Sequence, residues 1–277
     1  MPPVPSPPVD VLQLGPVSVS LYGACVMLGF LVWVCGTAWI WGKGGGDPVE
    51  AAWACVLAAP GALVGARLYS VATDLDAYRG DPSQVVAVAQ GGLGIYGAVL
   101  GAAMTIAVFA ASRRWPIATF IDCAVVFLPA GQAVGRLGNW FNQELYGGPT
   151  SLPWGVEIDP AHRLPGYETV ARYQPTFLYE SLWCLALGFA LLWIDKRFRL
   201  VRGQLFWLYA GGYVVFRFVM EEMRIDPAHT IGPLRVNAWV SIAVFVISVT
   251  MFLVLGRRAR ARANSAELRA VDEPSAS

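Results

Sequence analysis

Histidine is almost missing. The 277 residues hold two, His162 and His229, both in loops, which argues against a metal site built on imidazoles. Charge is scarce as well: 14% of the residues are Asp, Glu, Lys or Arg, where a soluble domain of this length carries about a quarter. A net charge of +1 leaves no global basic field for nucleic acid. No Cys-x-x-Cys pair occurs. Cys25, Cys35, Cys55, Cys123 and Cys184 all lie inside apolar runs and read as small buried hydrophobes, not as disulfides or metal ligands. Residues 1–17 contain no Lys or Arg and are rich in Pro, so the basic head of a secretory signal peptide is lacking. Internal repeats and low-complexity segments are lacking too.

What remains is apolar and comes in blocks. The chain is 56% hydrophobic with a mean hydropathy of +0.52, the make-up of a multi-span membrane protein. A bilayer core of roughly 30 Å needs about 20 helical residues. Seven blocks fit: 18–41, 50–72, 91–112, 117–135, 176–194, 203–223 and 237–256. The expected fold is therefore all-α, with an extracytoplasmic segment 1–17, a seven-helix domain 18–256 and a polar, disordered cytoplasmic tail 257–277. Basic residues set the orientation. With the N-terminus outside, the inner segments hold Lys43, Arg113, Arg114, Lys196, Arg197, Arg199, Arg202 and the five arginines from Arg257 to Arg269. That is twice the outer set of Arg79, Arg136, Arg163, Arg172, Arg224 and Arg235. The C-terminus is thus expected inside, where basic residues suit anionic head groups.

In that orientation the polar residues within the spans converge on the outer half of the bilayer. Tyr22, Arg67, the glycine-rich "QGGLGIYGAVLGA" from Gln90, "GRLGNWFNQELYGG" from Gly135, "YQPTFLYES" and "YVVFRFVMEEMR" all fall there. In the sixth span Tyr213, Arg217, Glu221 and Arg224 are spaced to share one helical face. A charge at membrane depth faces a partner or a wet cavity, so Arg217–Glu221 is either a packing ion pair or part of a site. The Gly135–Gly148 stretch reads as a helix end passing into an irregular loop. Asn139, Asn142 and Gln143 there can bond freed backbone groups. Arg136 can grip a phosphate through paired hydrogen bonds, and Glu144 can orient that Arg or accept from a hydroxyl. Gly91, Gly92, Gly94, Gly97 and Gly101 suit either tight helix packing or a backbone lying close to a ligand, with Tyr96 beside it. Gln174, Tyr179 and Glu180 read as interfacial anchors or supporting partners.

With these residues in order, the chain resembles the bacterial prolipoprotein diacylglyceryl transferase family. The resemblance rests on Gly135–Gly147, which fits Gly-Arg-x-Gly-Asn-x-x-Asn-x-Glu-x-x-Gly, and on "GGLGIYGAVLGA", "QPTFLYE" and "YVVFRFVMEEMR" in sequence, over residues 18–255. It implies a seven-span protein of the bacterial inner membrane. Such an enzyme moves diacylglyceryl from phosphatidylglycerol to the lipobox cysteine of a preprolipoprotein, forming a thioether and releasing glycerol phosphate. It needs no cofactor and no metal. By the same resemblance Arg136, Arg217, Glu144, Asn139, Tyr22 and Tyr96 are catalytic, and Asn142, Gly97, Gly147, Tyr213 and Glu221 join the two arginines in binding substrate.

Two positions depart from the family pattern: Tyr96 and Gln174 stand where histidine is frequent. Tyrosine, with a reference pKa of about 10, is a poor base. The thiol proton then goes to Glu144, to water or to the lipid phosphate, with Tyr96 only donating a hydrogen bond. The alternative function is a transporter or channel for a small anion or lipid, for which paired broken helices in two related halves would be expected. A metal-dependent phosphotransferase acting on head groups would need clustered Asp, and the spans offer only Asp122 and Asp195, far apart in sequence.

Overall fold

The computed structural model describes residues 4–75, 78, 82–87, 92–198, 200–226 and 230–272. Arg79, Gln90, Gly91, Arg199, His229 and residues 273–277 of the expected tail lie outside these, as does the side chain of Arg269. Among the described residues the long elements are seven helices: α1 Leu21–Lys43, α2 Pro48–Thr73, α3 Ile95–Ser112, α4 Ile117–Phe141, α5 Thr176–Arg197, α6 Gln204–Met223 and α7 Val236–Asp272. All but α6 are long and apolar enough to cross a membrane, the architecture of a polytopic membrane protein. α6 carries Arg217, Glu221 and Glu222 in its 20 residues.

Three short antiparallel pairs add to the all-α expectation. They are β1 Val11–Leu14 with β2 Val17–Ser20, β3 Val156–Glu157 with β4 Arg172–Tyr173, and β5 Thr230–Ile231 with β6 Leu234–Arg235. Two helix ends also differ. α4 runs six residues past its expected end at 135 to Phe141. Gly138 stays helical there because Tyr22 fills its missing side chain's place, with Cδ2 3.0 Å from where a Cβ would sit. α7 continues through the expected disordered tail as far as Asp272. Ala, Arg, Glu and Leu, all strong helix formers, dominate that stretch, and Pro274 is its first proline.

The chain divides into two compact units. In Val34–Cys123, Asp47 starts α2 by accepting from the amides of Val49 (2.7 Å) and Glu50 (3.3 Å), with Pro48 at the first helical position. α2 and α3 meet through glycines: Gly65 and Gly97 each occupy the place of the other's missing Cβ, and Gly101 does the same against Gly61. Packing therefore accounts for Gly97. Arg67, buried near the end of α2, donates to the carbonyls of Val85 (2.9 Å), Gly92 (3.0 Å) and Gln84, and its guanidinium lies 5.0 Å from the Tyr78 ring. Arg67 thus clasps Gln84, Val85 and Gly92 ahead of α3. Tyr96, in the first turn of α3, is 42% exposed, its ring 6.0 Å from that of Tyr69.

In the unit made of Met1–Trp33 and Ala124–Ser277, α4 is the hub. Gly29 of α1 abuts Gly131, the Ser181 hydroxyl of α5 donates to Ala133 O (2.9 Å), and Tyr209 of α6 donates to Gln132 (3.1 Å). Trp183 joins α5 to α6, donating to Gly212 O (3.0 Å) and stacking on Phe216. Gln204 joins α6 to α7 through Phe252 O (2.9 Å). The segment 142–175, between α4 and α5, builds a core from Tyr146, Val156, Ile158 and Tyr173, joined by Phe177 of α5. Residue Val4 lies alongside β3, donating to Gly155 O (3.0 Å) and accepting from Glu157 (2.8 Å).

Candidate functional site

Gly147 draws three elements together. Its amide donates to Gln174 O (2.9 Å), just ahead of α5, and the next amide, Gly148, donates to Met223 O (3.1 Å) at the end of α6. A Cβ at Gly147 would lie 2.9 Å from Thr176 Cγ2 and 3.0 Å from Met223 O, so only glycine lets the strand thread between the two helices. The end of α4, the start of α5 and the end of α6 are stitched at one level. The charged side chains meet there.

Arg136 from α4 and Arg217 from α6 both reach Glu180 of α5. Arg136 Nε is 3.0 Å from Glu180 Oε2, and Arg217 Nη1 is 3.7 Å from Glu180 Oε1. Arg217 Nη2 also pairs with Glu221 Oε2 at 2.6 Å, one helical turn on. Glu221 in turn accepts from Arg235 of β6 (3.2 Å) and from Asn237 of α7 (3.2 Å). Arg235 also donates to the carbonyl of Asp226, and Arg224 grips the Asp226 carboxylate with two bonds of 2.6 and 3.0 Å. The carboxyl of Asp226 is held below the usual carboxylate range: burial acts to raise it, but Arg224, then Arg235, outweigh that. The hydroxyl of Tyr213, whose ring stacks on Tyr209, pairs with the Arg136 guanidinium. Glu180 is 6% and Glu221 2% exposed, so these are buried ion pairs, in which losing one partner costs about 3–5 kcal/mol.

The expected face of α6 is realised in Tyr213, Arg217 and Glu221. Arg224 departs from it, because the helix ends at Met223 and Arg224 is already extended, bridged to Gly147. Glu144 does not orient Arg136. It accepts from Asn139 (2.8 Å) and, more loosely, from Asn142 (3.5 Å), both on Oε1. The orienting carboxylate is Glu180. The loop behind is fixed by Gln143, which takes a left-handed φ of 50° and clamps Asp159 with bonds of 2.6 and 2.8 Å. Tyr22 packs on Gly138, one residue before Asn139. Gln174 is the acceptor of the Tyr179 hydroxyl (3.0 Å), which itself accepts from Trp154 (2.8 Å). Tyr96 and Gly97 belong to the other unit.

Sequence reasoning gave Glu180 only as an interfacial anchor or supporting partner, and left Asp226, Arg235 and Asn237 out of the site. Glu180 carried a signal, being an acid inside an apolar span. Arg235 and Asp226 carried none, since loop charges are ordinary. Chemically, the pair of arginines is an anion cradle. Arg136 spends Nε on Glu180, and Arg217 Nη1 and Glu180 Oε1, though buried, are too far apart for a hydrogen bond. An incoming anion with two oxygens can engage nitrogens of both guanidiniums.

A family model described as "Prolipoprotein diacylglyceryl transferase" matches residues 9–254. The chain is 45% identical over 260 residues to phosphatidylglycerol–prolipoprotein diacylglyceryl transferase 2 of Streptomyces coelicolor, covering 92% of this chain and 81% of that protein. It is 46% identical over 260 residues to the transferase of the same name from Frankia alni, covering 92% and 68%. Against that from Cutibacterium acnes it is 40% identical over 259 residues, covering 92% and 87%.

Proposed function

The chain belongs to the prolipoprotein diacylglyceryl transferase family, and we propose that it transfers diacylglyceryl from phosphatidylglycerol to the lipobox cysteine of preprolipoproteins. The observation that carries the reading is the meeting of Arg136 and Arg217 on one carboxylate, Glu180. Two guanidiniums from separate helices share a single anion, as one lipid phosphodiester requires. The transporter alternative is not favoured, because the relatives matched over nine-tenths of this chain are transferases by name.

In the proposed reaction the lipid phosphate sits against Arg136 and Arg217. The cysteine sulfur attacks the glycerol carbon, forming the C–S bond. The C–O bond to phosphorus breaks, and its electron pair goes to the departing phosphate oxygen. The two guanidiniums hold the phosphate and aim its departing oxygen in a preorganised geometry. The same positive field lowers the thiol's pKa. Glu144, its Oε1 fixed by Asn139 and Asn142, receives the thiol proton. Tyr213 holds Arg136 in place, and Tyr96 plays no part in the proton transfer.

The proposed setting is the bacterial inner membrane, with seven crossings, the N-terminus outside and the site in the extracytoplasmic half. Lateral access from the bilayer then brings both lipid and signal peptide to it. The test uses purified protein, phosphatidylglycerol and a lipobox peptide. A mass gain of one diacylglyceryl group on the peptide cysteine is expected. Lipid or anion flux across a proteoliposome without that product would point to transport instead.

A further inference from the structure

We propose that Glu180 tunes the arginine cradle to accept a phosphate bearing one negative charge and to reject one bearing two. The proposal rests on the diacylglyceryl-transfer reading, in which the substrate is a phosphodiester and the leaving group a phosphomonoester. One continuous chain of ion pairs joins four guanidiniums, Arg136, Arg217, Arg224 and Arg235, to three carboxylates, Glu180, Glu221 and Asp226, at 2.6–3.9 Å. It is one positive charge in excess. Among the described residues its other partners are a hydroxyl, a thiol and an amide: Tyr213 and Cys184 beside Arg136, and Asn237 on Glu221. Glu222, the next acid along α6, is exposed. Glu144 is held by two amides and makes no ion pair with the chain among the described residues.

A bound phosphodiester, a monoanion at every physiological pH, neutralises that excess. Transfer converts it to glycerol phosphate, which gains a second charge above a second pKa of about 6. Among the described residues of the network no cation remains to balance it, and a buried uncompensated charge is costly. Glu180 is the carboxylate nearest the newcomer, since it touches both arginines. Its charge therefore disfavours the dianion most directly and drives product release. Glu180 is a specificity-determining residue here, not one that exchanges protons or bonds with substrate.

The experiment titrates the full chain in phosphatidylcholine nanodiscs, calorimetrically, between pH 5 and 8. The probes are glycerol phosphate and glycerophosphoglycerol, the acyl-free phosphodiester. For the wild type the diester's affinity stays flat, while the monoester's weakens by about tenfold above pH 6, the scale of one charge placed a few ångströms from another. Glu180→Gln binds the monoester at least about tenfold more tightly at pH 8 and loses the pH slope. In turnover it becomes more sensitive to inhibition by added glycerol phosphate, and Glu180→Asp restores the slope. Should Glu180→Gln fail to fold, the wild-type profiles alone decide, and Glu221→Gln, which shifts the same balance by one charge, serves as second variant. Equal wild-type affinities for the two probes at pH 8, or an unchanged slope in Glu180→Gln, would overturn the proposal. Binding needs no turnover, so the two readings fail separately. Discrimination without lipid transfer counts against the transferase reading, and transfer without discrimination counts against the charge rule.

Discussion

Arginine and lysine carry the same charge, but the cradle asks for more than charge. Arg136 must give Nε to Glu180 and still offer nitrogens to a ligand, and Arg217 must give Nη2 to Glu221 while Nη1 leans toward Glu180. A single ammonium cannot hold its acid and a phosphate in that fixed fork. Arg136→Lys and Arg217→Lys are each expected to lower kcat/KM for transfer by about 10²- to 10³-fold, the scale of losing one preorganised donor. Their thermal midpoints should stay near wild type, and if unfolding accompanies the loss the effect is structural. Glu144→Gln should abolish transfer yet leave binding of glycerophosphoglycerol within about threefold, because its contacts are the amides of Asn139 and Asn142 and not the arginines. Tyr96→Phe tests the opposite case. Transfer is expected to persist within about tenfold, and abolition with lipid binding intact would return Tyr96 to the chemistry. Much of this was legible residue by residue: Arg217 and Glu221 are one turn apart, and that spacing alone pairs them. Arg136 and Glu180 stand on different helices, so only the three-dimensional stitch at Gly147 reveals that pairing.

Helices were legible because an apolar run of about 20 residues has few other fates. Their ends were not. A run of Gly and Asn looks like a break, yet α4 continues through Gly138 because Tyr22 packs into the gap. The segment 142–175 was opaque for a related reason: its core comes from isolated aromatics such as Tyr146 and Tyr173, with no helical or strand period to show them. Element packing gives its own tests. Gly97→Val and Gly101→Val would each drive a side chain into the backbone of α2. Each is expected to cost about 1–3 kcal/mol or more, read as a lower melting midpoint in detergent. The junction of α6 with the β5–β6 turn depends on Asp226 in its charged form. Its pKa is depressed in the folded state, so its contribution is present above the ordinary carboxylate pKa and is lost as pH falls through the folded value. The stability gap between wild type and Asp226→Asn should therefore be constant from pH 8 to 5 and shrink below about pH 4. A gap that grows on acidification would contradict the pairing with Arg224.

At the scale of the whole molecule the question is whether α6 crosses a membrane. Its Arg217, Glu221 and Glu222 each cost about 2.5–3.5 kcal/mol or less on insertion scales, according to depth. Arg217 and Glu221 are not carried alone. Each meets a charge from another element, Glu180 on α5 and Arg235 on β6. The bundle thus converts two charges that isolated insertion would resist into the interior face of a site. If α6 crosses, seven spans place the ends of the chain on opposite sides. If it does not, six spans place them together. The basic residues then decide which side is inner, and they favour the side of Arg257, Arg258, Arg260 and Arg262. Single cysteines at Ser6 and Ala263, in a chain with its five native cysteines replaced, separate the cases. An impermeant maleimide applied to intact spheroplasts should label Ser6→Cys and spare Ala263→Cys until the membrane is opened. Sparing of both until the membrane is opened, or labelling of both from outside, would remove α6 from the membrane. With it would go the requirement that Arg217 meets its lipid from within the bilayer.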